Sequence, residues 1–214
     1  MNKQWIVVAS VMAVVVAFIA GAVVFKGRET QQVSQAAQSN SDALVRASSP
    51  VFGNPAAKVT IVEFFDPACE TCRAFYPLVK TIVTSSFGQV RLVVRHAPLH
   101  QGSDTAVKIL EAARLQGQYW PAVERALAGQ PQWAAHGNAR PELIWDLITD
   151  LGLDMAKARA DADSPAVAQL LAQDIADMKA LKVDRTPGFF VNGTPLRDFG
   201  EAQLRAWSTR RSRR

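Results

Sequence analysis

The chain is 214 residues long, 49% hydrophobic and 20% charged, with two cysteines. It has room for one sizeable domain and an appendage, carries too much apolar surface for a disordered chain, and has too few cysteines for a disulfide-stapled miniprotein. The net charge of +5 sits at the ends: Lys3, Lys26 and Arg28 near the start and Arg210, Arg211, Arg213 and Arg214 near the finish leave −2 for the body, which speaks against a basic nucleic-acid-binding face.

Trp5 to Phe25 is a run of 21 uncharged, predominantly apolar residues flanked by Lys3, Lys26 and Arg28. At about 1.5 Å per residue a helix of this length crosses roughly 30 Å, the hydrocarbon thickness of a bilayer. Residues 1–28 therefore read as a retained single-pass membrane anchor. A cleaved signal peptide is the rival reading, because Ala20-Gly21-Ala22 offers the small residues of a cleavage site, but the apolar run continues past them. Lys3 and the terminal amine balance Lys26 and Arg28, so the positive-inside count does not set the orientation. Residues 29–50, rich in Gln, Ser and Ala, read as a flexible tether with a reach of roughly 25 Å.

The folded part is expected over residues 51–208. Val59 to Phe65 is β-branched and aromatic, apolar on both alternating faces except at Glu63, as a central strand covered on two sides requires. Asp66-Pro67 breaks it. From Cys69 to about Ser86 an apolar stripe at Cys72, Phe75, Leu78, Val79, Ile82 and Val83 predicts a helix, kinked at Pro77. Val90 to Val94 is a second buried strand, and the short connections favour a parallel crossover. Residues 102–183 carry helical pattern only, broken at Gly117, Gly129-Gln130-Pro131, Gly137-Asn138 and Gly152, with Ser164-Pro165 opening the last helix. Gly188 to Val191 returns to strand, Asn192-Gly193 is a hairpin turn, and Thr194 begins the partner strand. Glu201 to Trp207 predicts a closing helix, and 209–214 reads as a solvated basic tail. Trp120, Trp133, Trp145 and Trp207 read as core residues. The fold class is α/β, a layer of strands interrupted by a helical insertion.

Chemistry concentrates at Cys69-Glu70-Thr71-Cys72, where a buried strand gives way to a helix. At a helix start the first thiol faces backbone N–H groups and the positive end of the helix, which favour its thiolate. The second lies one turn inward, close enough to resolve a disulfide made by the first, as thiol–disulfide exchange requires. On the residues alone two other readings stay open. One is a structural disulfide, although so small a loop removes little chain entropy. The other is a zinc site completed by His96 and His100, although 23 residues separate the pairs against the usual ~12–15. Glu63, on an apolar strand, is expected to be desolvated, with its pKa raised toward neutrality.

The run VEFFDPACETCRAFYP, followed by VRLVVRHAPL and later RTPGFFVNG, resembles the DsbA-like branch of the thioredoxin superfamily over Val51 to Trp207. Three spaced features carry the likeness: an acidic residue six before the first cysteine (Glu63), a proline five after the second (Pro77), and Thr186-Pro187 before a strand. The resemblance implies a thioredoxin fold with a helical insertion and a redox-active Cys69–Cys72 disulfide, with no other cofactor. It also implies that Cys69 is the nucleophile, that Glu63 takes the Cys72 proton, and that a cis Thr186-Pro187 loop binds an extended substrate segment. The middle dipeptide, Glu70-Thr71, departs from the Pro-His of the family's strong oxidase. Glu70 is expected to oppose the Cys69 thiolate and so tune the pair to a potential between about −120 mV and about −270 mV.

The functional expectation is a thiol–disulfide oxidoreductase, an oxidase before an isomerase or reductase. Its substrates would be exported proteins, and a membrane or periplasmic redox partner would recycle it. The anchor would lie in a bacterial inner membrane with the domain in the periplasm. Neither a metal nor a nucleic acid is expected to bind. The alternative is a binding module that holds a soft metal such as Cu(I) between Cys69 and Cys72.

Overall fold

The computed structural model describes residues 3–135 and 138–196, the side chains of 3–10, 26, 29 and 30 excepted. The closing helix expected at Glu201 to Trp207, and the basic tail, lie outside the described residues. Five strands form one mixed sheet: β1 (Val51–Gly53), β2 (Val59–Phe65), β3 (Val90–His96), β4 (Gly188–Val191) and β5 (Thr194–Pro195), in the spatial order β1-β3-β2-β4-β5. The helices are α1 (Lys3–Ser39), α2 (Glu70–Thr84), α3 (Ser103–Arg114), α4 (Tyr119–Ala128), α5 (Gln130–Trp133), α6 (Ile144–Leu147), α7 (Met155–Ala162) and α8 (Pro165–Ala180).

β2 and β3 run parallel, from Val59 opposite Val90 to Phe65 opposite His96, with α2 as the crossover. β4 pairs antiparallel on the other side of β2, placing Phe189 opposite Glu63. The β4–β5 turn is the expected hairpin: Asn192 and Gly193 both have positive φ, 45° and 80°, as a type I′ turn demands. Among the described residues the insertion between β3 and β4 holds helices, α3 to α8, and no strand. β3 runs two residues beyond the expected Val94, to His96, and β1 is a strand that the sequence pattern did not announce. Its three residues are too few for a periodicity, and the Phe52 ring packs edge-on against Trp120 at 5.1 Å.

Strand alternation sorts the β2 side chains onto two faces. Ile61 and Phe65, with Glu63 between them, lie on the face of α2 and most of the insertion, in a core with Cys72, Val79, Leu92, Trp133 and Phe189. Val62 and Phe64 lie on the opposite face, in a second core with Val93, Met178, Leu181 and Phe190. The redox-bearing helix thus shares its face of the sheet with the one carboxylate of β2.

Residues 29–50 do not form a flexible tether. Helix α1 continues to Ser39, a 3-10 turn follows over Ser41–Ala43, and Ala37, Ala43 and Leu44 are buried in the second core. Val33 and Ala37 are one turn apart, so a Gln- and Ala-rich segment with good helix propensity presents a small apolar face to the second core, and the helix lies against β5. Upstream, every residue from Val11 to Phe25 is exposed. Among the described residues no helix is long and apolar enough to cross a membrane, and the first part of the expected span falls on side chains outside them.

A buried ion-pair network fastens α8 to β3. Arg95, fully buried, donates to Asp174 (2.9 and 2.7 Å) and Asp177 (2.6 Å) and to the Ala43 carbonyl. Arg46, beyond the 3-10 turn, closes on Asp177 with two bonds of 2.9 and 2.7 Å. Burial pushes both carboxyls up, but their His96, Arg46 and Arg95 partners hold them below the ordinary value. Arg95→Met, which leaves Asp174 and Asp177 buried with partners lost, is expected to cost about 3 kcal/mol or more in denaturant unfolding. Arg125→Ala, at the exposed pair with Asp150, is expected to cost under about 1 kcal/mol.

Candidate active site

Asp66 follows β2 directly and is fully buried. Its carboxylate accepts hydrogen bonds from the N–H groups of Ala68 (2.9 Å), Leu99 (2.8 Å) and His100 (3.0 Å), from the Ser103 hydroxyl, and from His100 Nδ1 (2.7 Å). Its backbone carbonyl accepts the Cys69 N–H at 3.1 Å. The end of β2, the turn carrying Cys69 and the β3–α3 connection are therefore fixed on one residue. Gln130, buried at the start of α5, donates from Nε2 to the carbonyls of Pro67 (2.8 Å) and Cys69 (3.0 Å), so the insertion holds the same turn from the other side.

Cys69 is the N-cap of α2, with extended backbone. Its sulfur accepts the Cys72 N–H at 3.4 Å and lies 3.3 Å from the Thr186 carbonyl oxygen, to which it donates only in the protonated form. Both cysteines are free thiols here. The Cys72 thiol and the N–H groups of Cys72 and Thr71 favour the thiolate, outweigh burial, and pull the Cys69 thiol down to about 5. Cys72 is wholly buried, and burial, its bond to Cys69 and the charge of Glu63 push its thiol well above the ordinary value. One sulfur is ionised at neutral pH while its neighbour keeps its proton. Glu70 and Thr71 are exposed. The donors at the sulfur set the direction of the Cys69 shift, and the expected opposition from Glu70, a charge at the exposed start of the helix, is not among the causes of that shift.

Glu63 is 1% exposed, and its Oε1 has no hydrogen-bond partner. Burial first, then the charge at Cys69, raises its carboxyl to about 8. The Thr186-Pro187 bond is cis, Pro187 is buried, and the Thr186 hydroxyl is buried without a partner beside Cys69. Cys69, Cys72, Glu63, Thr186 and Pro187 are thus brought together, with Glu70 and Thr71 at the exposed start of α2. Sequence reasoning missed Asp66, Gln130 and the placement of His100. Asp66 had a signal, since aspartate after a strand readily accepts turn N–H groups. Gln130 had none, because its partners lie more than sixty residues away.

His96 and His100 are each committed elsewhere. His96 is buried between Asp174 (Nδ1, 2.9 Å) and the Tyr119 hydroxyl (Nε2, 3.0 Å). Among the described residues no group of three or more His, Cys, Asp or Glu side chains could hold a metal ion.

A family model described as thioredoxin matches residues 46–207. The chain belongs to the thioredoxin family. The crystal structure of a thioredoxin-like oxidoreductase from Silicibacter pomeroyi is 32% identical, with a TM-score of 0.70, over 82% of this chain and 99% of that one. A thiol-disulfide exchange protein from Wolbachia pipientis shares the fold, at 20% identity and a TM-score of 0.73, over 86% of this chain and 97% of that one. The Na(+)/H(+) antiporter NhaA of Herminiimonas arsenicoxydans is 34% identical over 147 residues, 69% of this chain but 23% of the antiporter. This thioredoxin-family chain therefore spans less than a quarter of the first curated relatives that it matches.

The thiolate absorbance of the reduced protein is expected to titrate with a midpoint near pH 5 and to vanish in Cys69→Ser. Glu63 gives a second test. A carboxyl held protonated up to about 8 makes the fold lose stability as pH rises from the unfolded-state value through 8. Glu63→Gln is therefore expected to stabilise the protein by on the order of a few kcal/mol at about pH 9 and to leave it nearly unchanged at about pH 4, read from thermal unfolding across pH.

Proposed function

We propose that the chain is a thiol–disulfide oxidoreductase working through Cys69 and Cys72. The observation that carries the reading is the opposite displacement of the two thiols from one ordinary value, with the ionised one at the helix start and the protonated one beneath it. In the oxidising direction a substrate thiolate attacks Cys69 Sγ of the Cys69–Cys72 disulfide and expels Cys72, which takes up a proton with Glu63 as the nearby buried acid. The second substrate thiolate then attacks the mixed disulfide at the substrate sulfur and expels Cys69 as the stable thiolate. The substrate leaves oxidised and the pair is left reduced, to be reoxidised by a membrane or periplasmic redox partner. A leaving group ionised from about 5 upward favours this direction, so we read the protein as an oxidase before an isomerase or reductase.

The Thr186-Pro187 loop is the substrate-binding edge in this reading, since the Thr186 carbonyl stands 3.3 Å from the nucleophilic sulfur. An extended segment of an exported protein laid along it would bring its cysteine to Cys69. The apolar residues from Val11 to Phe25 are all exposed and would be covered by a bilayer; we place the domain on the periplasmic side of an inner membrane because disulfides persist there. Ion transport, which the antiporter relatives' names describe, has no part in the reading.

Cys72→Ala is expected to accumulate mixed disulfides with client proteins through Cys69, visible as reducible adducts on non-reducing gels, while Cys69→Ala forms none. Trapping by Cys69→Ala instead would reverse the assignment.

A further inference from the structure

His100 has no part in the exchange steps above, yet it is built into the site. Its Nδ1 is 2.7 Å from Asp66 Oδ2, and its own N–H is bound to the same oxygen at 3.0 Å. That residue also holds the Cys69 N–H on its carbonyl and the Ala68 N–H on Oδ1. The imidazole and the nucleophile's backbone are therefore clamped to opposite ends of one buried aspartate. A carboxylate can only accept, so Nδ1 carries a hydrogen, and Nε2 is the nitrogen that gains or loses a proton. Nε2 has no partner among the described residues, and the side chain is 42% exposed, so it exchanges protons with solvent.

We propose that His100, held on Asp66, is the proton-linked charge partner of Cys69 and takes up a proton when the Cys69–Cys72 disulfide is reduced. The proposal rests on the exchange-site reading and adds its proton balance. A substrate dithiol gives two electrons to the disulfide and releases two protons. The Cys69–Cys72 bond breaks, a substrate disulfide forms, and one proton ends on Cys72. The other is shared between His100 and solvent, His100 taking the part that the new Cys69 thiolate holds there. The charge gained on His100 offsets part of the thiolate charge within the site.

The groups acting on His100 are Asp66, Cys69 and Glu70. Burial lowers its pKa, but the hydrogen bond and charge of Asp66, then the charges at Cys69 and Glu70, outweigh this and raise it. Only the Cys69 charge changes with redox state. By linkage, whatever a Cys69 thiolate does to His100, protonated His100 does in return to Cys69.

The test is the imidazole titration of His100, followed by nuclear magnetic resonance in the oxidised and the reduced protein. The expected result is a midpoint higher in the reduced form by about half a unit or more, the size of one partly screened charge. His100→Gln, which keeps a donor for Asp66, should raise the Cys69 midpoint similarly, cutting the thiolate fraction near pH 5 by roughly twofold. A histidine that only braced Asp66 would titrate alike in both redox forms, and that result overturns the proposal. A wild-type Cys69 midpoint at the ordinary thiol value would instead defeat the exchange-site reading itself.

Discussion

The buried Asp66 carboxylate accepts hydrogen bonds from two separate stretches of chain, the turn that carries Cys69 and the connection from β3 to α3. Without it, three N–H groups, a hydroxyl and an imidazole would lose their partner, and the strand-to-helix turn would be held from one side only. Everything that makes Cys69 reactive follows from that angle. The α2 N-terminus must aim its first N–H groups at the sulfur, the Thr186 loop must lie within reach, and Cys72 must sit one turn deeper. Gln130 supplies the second clamp, from an element that the plain strand–helix–strand unit lacks.

The sheet separates the two tasks of the molecule. Its α2 face holds the reacting sulfurs and Glu63, whose partnerless oxygen is tolerated because the carboxyl keeps its proton. Its α8 face holds the Arg95 network and the docked end of α1, where charge is satisfied by charge. Stability on the second face offsets the cost of an unsatisfied acid on the first. Helix α1 reaches the domain as continuous helix, so the apolar stretch and the redox domain are joined by docked structure rather than by slack chain.

Much of this was legible in the residues, and the parts that were not share a cause. β2, α2, the hairpin and the all-helical insertion announce themselves through periodicity and turn chemistry, which are local. Cys69 and Cys72 are legible from their spacing at a helix start, and Glu63 from its apolar strand together with the resemblance to the DsbA-like branch. Asp66, Gln130 and His100 bond across 33 to 63 positions, and no local pattern records such pairings. The docking of Ala37 and Leu44 was hidden in the same way, since the core they join is built from residues far along the chain, Met178, Leu181 and Phe190 among them. The direction of the Cys69 shift was legible from its place at a helix start, but the Cys72 contact that contributes most to it was not.

The central claim is that the fold prefers the Cys69 thiolate and therefore the reduced pair. The most direct measurement is denaturant unfolding of the reduced and the oxidised protein, compared from about pH 4 to about pH 8. A thiol lowered in the fold contributes stability that is complete above its unfolded value and is lost as pH falls through about 5. The reduced form is expected to gain on the oxidised form across this interval as pH rises. A stability difference that stays constant with pH, or that moves toward the oxidised form, would contradict it.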